Sequence, residues 1–526
     1  MDGPGAAAVV ALRAAEIALA HQVDLPEDLA LWHLAGGRPS PAPRAGDPEE
    51  LGELLEATLT AAERRSGGAH YTPRKLAADL AARALAGRDR PTVGDPSCGG
   101  GALLLAAGRH LAARGEATAD VVGRLHGMDV DPVAVATTEA ALAIWAGVAA
   151  PSRNLLVADA LAERPPWPPL DVVLGNPPFL SQLDADTTRG RAVAAALRRR
   201  FGDAVRAYTD TAGLFLLVAT DLTATAGTIA LLQPQSVLAA RDAAGVRDAV
   251  SERGRLVDVW FPDAPGFDAA VEVCVPIIET GSSGPATPWS SHLARANGVP
   301  SVDLGPCRTL GREATTTAAF RTEFYGMVPH VHESADCPGG RPLVTTGLVD
   351  LGRCTWGERS ARIGGRTWRR PVLDVPRLEG RAAGWVQRTG GPKLIVATQT
   401  KVVEVVVDEA GEWIAGVPLV VVLAPAERLW PLAAALAAPA VSAWLLQRTA
   451  GTALTRQSLK VSAALLRDVP LPSDDEAWGA GTAALRAGDL AGFAAAMSTA
   501  YGTGADVAAW WTERARTVWS PREARR

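Results

Sequence analysis

The sequence predicts an α/β protein built on a mainly parallel sheet, and two observations carry that expectation. Four short apolar runs end in a polar residue of the same kind: Val93-Gly94-Asp95, Leu125-His126-Gly127-Met128-Asp129, Leu155-Leu156-Val157-Ala158-Asp159, and Leu170-Asp171-Val172-Val173-Leu174-Gly175 followed by Asn176. The first three ends are 34 and 30 residues apart, close to the length of one strand with its crossover helix. Ligands bind at the carboxyl ends of strands connected in this way. Asp95, Asp129, Asp159 and Asn176 are therefore expected along one edge of the sheet.

The first run continues as Pro96-Ser97-Cys98-Gly99-Gly100-Gly101 and then Ala102-Leu103-Leu104-Leu105, a glycine turn opening a helix. Glycines let the backbone approach a ligand at a helix N-terminus. The spacing is not the dinucleotide fingerprint, because no glycine stands three residues after Gly101. The acid before the turn disfavours a phosphate and suits a ligand carrying an ammonium and a sulfonium. In the second run, Asp131 reads as a helix N-cap with Pro132 at the first helical position. Asp129, at the end of the second strand, stands where doubly wound folds grip ribose hydroxyls.

The fourth run closes on Asn176-Pro177-Pro178-Phe179. An amino group conjugated to a flat ring is a poor nucleophile, because its lone pair is delocalised into the ring. An amide oxygen on Asn176 and a neighbouring backbone carbonyl can accept both of its N–H bonds and draw the nitrogen toward tetrahedral geometry. The two prolines restrict the backbone, so the acceptors are in place before substrate arrives. Phe179 offers a face on which an extruded base can stack.

These motifs, in this order, resemble the amino-group DNA methyltransferases that use S-adenosylmethionine, in the permutation where the cofactor motifs precede the catalytic one. A Tyr-Thr-Pro segment upstream is supplied by Tyr71-Thr72-Pro73, and the pattern Asp-Pro-x-Cys-Gly-x-Gly is met from Asp95 through Gly101, including Cys98 and Gly99. The match continues through Asp210, Leu214-Phe215-Leu216, residues 227–234 and residues 266–273. The resemblance implies a Rossmann-like core with a seven-stranded mixed sheet. It places Tyr71 and Thr72 at the methionine end of the cofactor, Asp95, Cys98, Gly99 and Gly101 at its centre, Asp129 at its ribose and Asp159 at its adenine. It gives Asn176, Pro177, Pro178 and Phe179 to the target base. Phe179 departs mildly from the tyrosine of many relatives, keeping stacking and losing a hydroxyl.

The rest of the 526 residues frames this core. Residues 1–64 read as an Ala/Leu-rich helical region, 65–280 as the catalytic domain, 290–472 as a second, mixed α/β domain for target recognition, and 473–526 as a helical tail with Trp510 and Trp511 packed inward. Residues 393–397 and 401–407 read as strands, and residues 429–446 as helical pieces around Pro439. The net charge of −5 hides an asymmetry: residues 341–401 hold twelve Lys/Arg against four Asp/Glu, a local +8 that leaves −13 elsewhere. A basic segment in an acidic chain suggests a nucleic-acid face, with Arg366, Arg369 and Arg370 at its centre. Trp356, Trp368 and Trp385 are expected to fill the core beneath it. A second cluster, including Arg198, Arg199 and Arg200, follows Phe179. By a looser resemblance to the closing part of target-recognition domains, Arg448, Arg456 and Lys460 contact phosphates.

Several classes are disfavoured. The four lysines, at 75, 393, 401 and 460, are never preceded two places earlier by Asp or Glu, so the triplet of the common metal-dependent restriction nuclease is missing. Five cysteines without Cys-x-x-Cys spacing fit a reducing cytoplasm and argue against a zinc site, and no metal is expected. The apolar run at 430–446 contains Pro431, Pro439 and Ser442, and no membrane role is expected.

The leading expectation is an adenine-N6 methyltransferase of double-stranded DNA, partnered by a separate restriction nuclease or defence-system subunits. The alternatives are cytosine-N4, ribosomal RNA guanine-N2 or protein glutamine methylation by the same chemistry, or a DNA-binding module whose catalytic half has decayed.

Overall fold

The computed structural model describes residues 5–60, 72–180, 190–206, 208–262, 272–282, 287–305, 308–319, 321–452 and 458–516. The chain divides into two compact units, Met1–Thr287 and Pro288–Arg526. The first is built on a mixed sheet in the order β3-β2-β1-β4-β5-β8-β6, with β7 on the far side of β8. Its strands are β1 (Val93–Asp95), β2 (Leu125–Asp129), β3 (Leu155–Val157), β4 (Leu170–Gly175), β5 (Thr223–Leu231), β6 (Gln233–Pro234), β7 (Gly254–Trp260) and β8 (Val273–Thr280). The ladders from β3 to β5 are parallel, and β8 runs antiparallel to both β5 and β7. Seven main strands match the expected sheet. The two-residue β6 adds an eighth, because the chain passes Leu232 and resumes pairing with the start of β8.

Strand order reverses between β1 and β4, which opens a crevice at their carboxyl ends. β1 is wholly buried, so it tolerates no water-facing residue. Gly94 is needed for close strand packing, since a Cβ there would lie 2.3 Å from Leu170 Cδ1. At the opposite end of the strands, Asp171 accepts from both the backbone and the hydroxyl of Thr92 at 2.8 Å, tying β4 to β1.

Helices Ala6–Ala20, Ala30–Ala35 and Glu50–Thr58 pack on helix Pro132–Ala146, and the proline-rich segment between the last two carries no helix. Val10, Ile17, Leu31, Trp32 and Leu51 share one apolar core with Leu104, Leu105 and Ile144 of the helical layer beside the sheet. A charged seam borders that core. Glu49, only 3% exposed, receives Arg74 Nε at 2.8 Å and Arg109 Nη1 at 2.9 Å, and Arg109 also reaches Asp47 at 2.5 Å.

The second unit holds two four-stranded sheets. One has the order β10-β16-β11-β20, from Val331–Glu333, Pro371–Leu373, Arg341–Val344 and Ile414–Ala415; the other is antiparallel, β19-β17-β21-β9, from Val405–Asp408, Lys393–Ala397, Leu419–Leu423 and Thr315–Ala318. Short pairs complete it: β12 (Val349–Asp350) with β13 (Arg353–Cys354), β14 (Ala361–Ile363) with β15 (Arg366–Trp368), and β18 (Gln399–Thr400) with β22 (Leu459–Lys460). The expected strand over 401–407 is interrupted. β18 ends at Thr400, whose hydroxyl donates to Val402 O at 2.5 Å, and pairing resumes only at Val405.

Helices Leu429–Ala437 and Pro439–Thr449 break beside Pro439, the expected break point, and nearly every residue in them is buried. They are bent by 59°, and among the described residues no single helix is long and apolar enough to cross a membrane. The helices after residue 472 pack on this pair, with Trp478 Nε1 donating to Pro431 O at 2.7 Å. Trp511 is fully buried there, whereas Trp510 is half-buried under Arg514. Neighbours on a helix project about 100° apart, and here only Trp511 reaches the core.

Candidate active site

The strand ends bring the expected residues to one edge. The glycine turn leaves β1 through Ser97, whose backbone N–H donates to Asp95 Oδ1 at 2.9 Å. Cys98 N–H donates to Met128 O at 2.9 Å, which pins the turn to β2. Gly99 N–H then donates to Asp129 Oδ2 at 2.9 Å, while Asp131 N–H donates to Asp129 Oδ1 at 3.0 Å. Asp129 is thus held by both oxygens. Gly99 and Gly101 take φ of +50° and +85°, a region costly for residues with a Cβ. A Cβ on Gly99 would meet nothing within 4 Å, so open space lies over the turn, whereas one on Gly100 would lie 2.5 Å from Gly52 Cα of helix Glu50–Thr58.

Asp131 caps helix Pro132–Ala146 as read from sequence, accepting from Val133 N–H at 2.8 Å. Asp159 is exposed and accepts from Leu161 N–H at 2.8 Å. Gly175 lets β4 pass Asp95, since a Cβ there would stand 3.0 Å from Asp95 Oδ1. Asn176 follows directly and is half-buried, and its Nδ2 donates to Thr72 Oγ1 at 3.1 Å. Pro177 is buried, and Phe179 is half-buried against the apolar core. Tyr71 lies outside the described residues, as do residues 266–271.

Electrostatics separate the acids. Asp95 is 1% exposed, and burial pushes its carboxyl up to about 7, with the charge of Asp129 adding and the Ser97 hydrogen bond opposing. A carboxyl so buried could act on a charged group near the turn only through its field. Burial also raises Asp129, against the two backbone bonds it accepts. Cys98 is pushed well above the usual thiol range by burial and then by Asp129 and Asp95, so it stays a neutral packing group.

Sequence reasoning missed two exposed apolar residues at this edge. Val130 and Val157 are 65% and 55% exposed. Val130 follows Asp129, and Val157 pairs with Asp129 across the β2–β3 ladder. Exposed valines beside a carboxylate at strand ends give a flat ring a surface to lie on. The signal was their position one residue after and two residues before the acids, Asp129 and Asp159. Arg200 was also misread: its Nη1 donates to Ala160 O at 2.6 Å, so it ties helix Arg191–Phe201 to the end of β3. Arg198 and Arg199 are exposed in the last turn of that helix, where cations complement the helix dipole.

In the second unit, the basic segment is smaller than its composition suggests. Lys393 is fully buried, with Nζ 2.6 Å from Asp408 Oδ2. Arg353, Arg359 and Arg377 pair with Glu358, Asp350 and Asp374, and Arg341 donates to the carbonyls of Glu412, Gly390 and Gly411. What remains concentrates on the β14–β15 hairpin, turned by Gly364 and Gly365 at φ +57° and +81°. Arg362, Arg366, Arg369 and Arg370 are exposed there, and none forms an ion pair among the described residues. Trp385 fills the core, donating to Ala415 O at 3.0 Å, while Trp356 and Trp368 are partly buried against it. Lys460 is exposed on β22, Arg456 lies outside the described residues, and Arg448 lies 3.7 Å over the Trp444 ring instead of facing outward.

Residues 47–277 match the family model described as N-6 DNA Methylase, so the resemblance read from the motifs holds over the segment that carries them. A DNA methyltransferase domain fills that segment. No curated protein sequence matches the chain. Among solved structures, the fold is similar to that of the Type IIL restriction-modification enzyme MmeI in complex with DNA, at 12% identity and a TM-score of 0.54, over 93% of this chain and 83% of that one. The type IIG restriction endonuclease BpuSI matches at 11% identity and a TM-score of 0.43, over 98% of this chain and 78% of that one. A type I restriction-modification methyltransferase subunit from Streptococcus thermophilus matches at 22% identity and a TM-score of 0.34, over 45% and 50%.

Proposed function

We propose that the chain is a site-specific methyltransferase that moves a methyl group from S-adenosylmethionine to N6 of adenine in double-stranded DNA, within a restriction-modification or phage-defence system. The observation that carries this reading is Asn176 at the end of β4, beside the strand-order reversal and next to the Asp95–Asp129 edge. The open space over Gly99 and the pair of acids suit a ligand with a cationic amino-acid end and a ribose. When bound, S-adenosylmethionine supplies a methyl group activated by a sulfonium.

The chain's own residues do the rest. Asp129 accepts the ribose hydroxyls, Asp159 receives the adenine amine, and Val130 with Val157 flank that ring. Thr72, Cys98, Gly99 and Gly101 line the remainder of the cofactor, with Tyr71 assigned by resemblance. Asn176 Oδ1 and the Pro177 carbonyl accept the two N–H bonds of the target amine. As the nitrogen gains positive charge, both oxygens stabilise it. Phe179 stacks on the extruded base, Pro178 stiffens the loop, and Arg198, Arg199, Arg366, Arg369, Arg370, Arg456 and Lys460 neutralise phosphates. Double-stranded DNA as substrate is supported by the fold likeness to an enzyme solved on DNA and by the exposed arginine hairpin. Adenine over cytosine is supported by the family that residues 47–277 match. The decayed-module alternative is opposed by the intact set Asp95, Asp129, Asp159 and Asn176.

Base-resolution mapping of DNA from cells expressing the chain tests this. N6-methyladenine at one sequence motif is expected, and Asn176→Ala should leave less than about a tenth of that methylation, since a differential transition-state contact is lost. Methyl groups on cytosine, or no modified base, would overturn the reading.

A further inference from the structure

We propose that Thr72 is the positioning residue of Asn176, and that through it an anion at the cofactor site sets which end of the asparagine amide meets the target amine. This rests on the functional reading above. The two residues are 104 positions apart and belong to different motifs, yet Asn176 Nδ2 donates to Thr72 Oγ1 at 3.1 Å.

A primary amide presents two arms of nearly equal shape and opposite polarity. A target amine brings N–H donors, so only the oxygen arm can serve it; the nitrogen arm would oppose donor to donor. With Nδ2 turned to Thr72, the planar amide sends Oδ1 to the other side. A hydroxyl alone does not dictate this choice, because it can donate as well as accept. The choice becomes fixed when the hydroxyl proton is claimed elsewhere. Thr72 is assigned to the methionine end of the cofactor, where a carboxylate would take that proton. The oxygen of Thr72 then has only lone pairs to offer Asn176, and the amide must present its N–H₂ to Thr72 and its oxygen to the base. Bonds chained in this way also polarise one another.

The rest of the structure holds Thr72 still enough for this task. Its side chain is 5% exposed. Pro73 leads directly into helix Arg74–Ala84, and Arg74 binds the buried Glu49, which also binds Arg109 on the helix that follows the glycine turn. One carboxylate therefore fixes Thr72 relative to the cofactor loop, and Asn176 must come to the hydroxyl instead of the reverse.

The test compares Thr72→Val, nearly isosteric but without the hydroxyl, with Thr72→Ser, which keeps it, both in the full chain. Calorimetry measures S-adenosylmethionine affinity, and tritium transfer to unmethylated genomic DNA measures turnover at saturating cofactor. Thr72→Val should lose turnover by at least about tenfold, the worth of one oriented hydrogen bond, while Thr72→Ser stays within about threefold of the wild type. Binding of DNA should tighten when the non-reactive analogue sinefungin is added to wild type and to Thr72→Ser, and should not respond in Thr72→Val. The proposal is overturned if Thr72→Val weakens cofactor binding but turns over normally at saturation, which would make Thr72 a cofactor contact only. Equal loss in Thr72→Ser and Thr72→Val would also overturn it, as a packing effect. A wild type that transfers no methyl to DNA, or an Asn176→Ala variant as active as wild type, would instead bring down the functional reading beneath it.

Discussion

The strand-end edge of the first unit and the arginine hairpin of the second solve opposite problems. At the edge, nearly every polar group is already engaged by the protein: Asp129 by two backbone amides, Asp95 by Ser97, Asn176 by Thr72. On the hairpin, Arg362, Arg366 and Arg369 are exposed without an ion pair among the described residues, and Arg370 lies over the Trp356 ring. The edge is preorganised, so its chemistry is directional and its groups cannot be exchanged. The hairpin relies on charge, which acts at a distance, is screened by salt and tolerates imprecise geometry. On the function proposed above, orienting one nitrogen would call for the first arrangement, and holding a polyanion for the second.

Asp129→Ala should expose that contrast most strongly. It removes the proposed ribose acceptor and frees the amides of Gly99 and Asp131 together, so S-adenosylmethionine affinity should fall at least tenfold, about 1.5–3 kcal/mol. Calorimetry on the folded variant checks this, and unchanged affinity would mean that the edge is not the cofactor's site. The hairpin should respond differently. Replacing Arg366, Arg369 and Arg370 with alanine should weaken DNA binding severalfold near physiological salt and flatten the salt slope by up to about 2.7, from ~0.9 per phosphate neutralised. Cofactor affinity should not change, and a salt slope equal to wild type would move the DNA face toward Arg198 and Arg199.

A smaller effect comes from pH. Burial keeps Asp95 protonated up to about pH 7, while the unfolded chain releases that proton near the ordinary value of 3.8. The folded state therefore holds the extra proton between those limits, and stability falls as pH rises through that window. A cation placed before the turn favours the ionised form and regains part of the loss. Cofactor binding should thus tighten a few-fold as pH rises through about 7, and Asp95→Asn should flatten the trend in calorimetry across pH 6 to 8, an expectation from linkage. The smallest effect is expected of Phe179→Tyr, since a phenol stacks as well as a phenyl ring. Methylation should stay within about twofold of wild type, whereas Phe179→Ala should lose ~1–3 kcal/mol of stacking as well as the ring's packing on the core. Loss of activity in Phe179→Tyr would show that the ring's buried part, not its open face, matters.

The edge was legible in the sequence because its signals are local. An apolar run ending in an acid is a strand end whatever surrounds it, and Asp131-Pro132 specifies its own cap. The resemblance supplied the order of the motifs. What stayed hidden depends on partners far along the chain. Lys393 counts as a surface charge until β19 brings Asp408 against it. Arg200 looked like one member of a basic stripe until the helix docked it on Ala160. The expected strand at 401–407 failed on a side-chain bond, Thr400 to Val402, which no hydropathy pattern encodes. Nor does composition tell that Thr72 and Asn176 touch.

The backbone contact between Gly100 and Gly52 has a practical meaning for anyone who cuts this chain. A fragment designed from motif positions would start near residue 65, just ahead of the Tyr-Thr-Pro segment. It would strip helix Glu50–Thr58 from the glycine turn and remove Glu49 from between Arg74 and Arg109, leaving two like charges facing each other over a bared apolar layer. Such a piece would carry every named catalytic residue and still be a poor enzyme, because the turn is shaped from outside as much as by its own glycines. A fragment that keeps this support begins before residue 47, so that Asp47, Glu49 and the helix beneath Gly100 all stay with the turn.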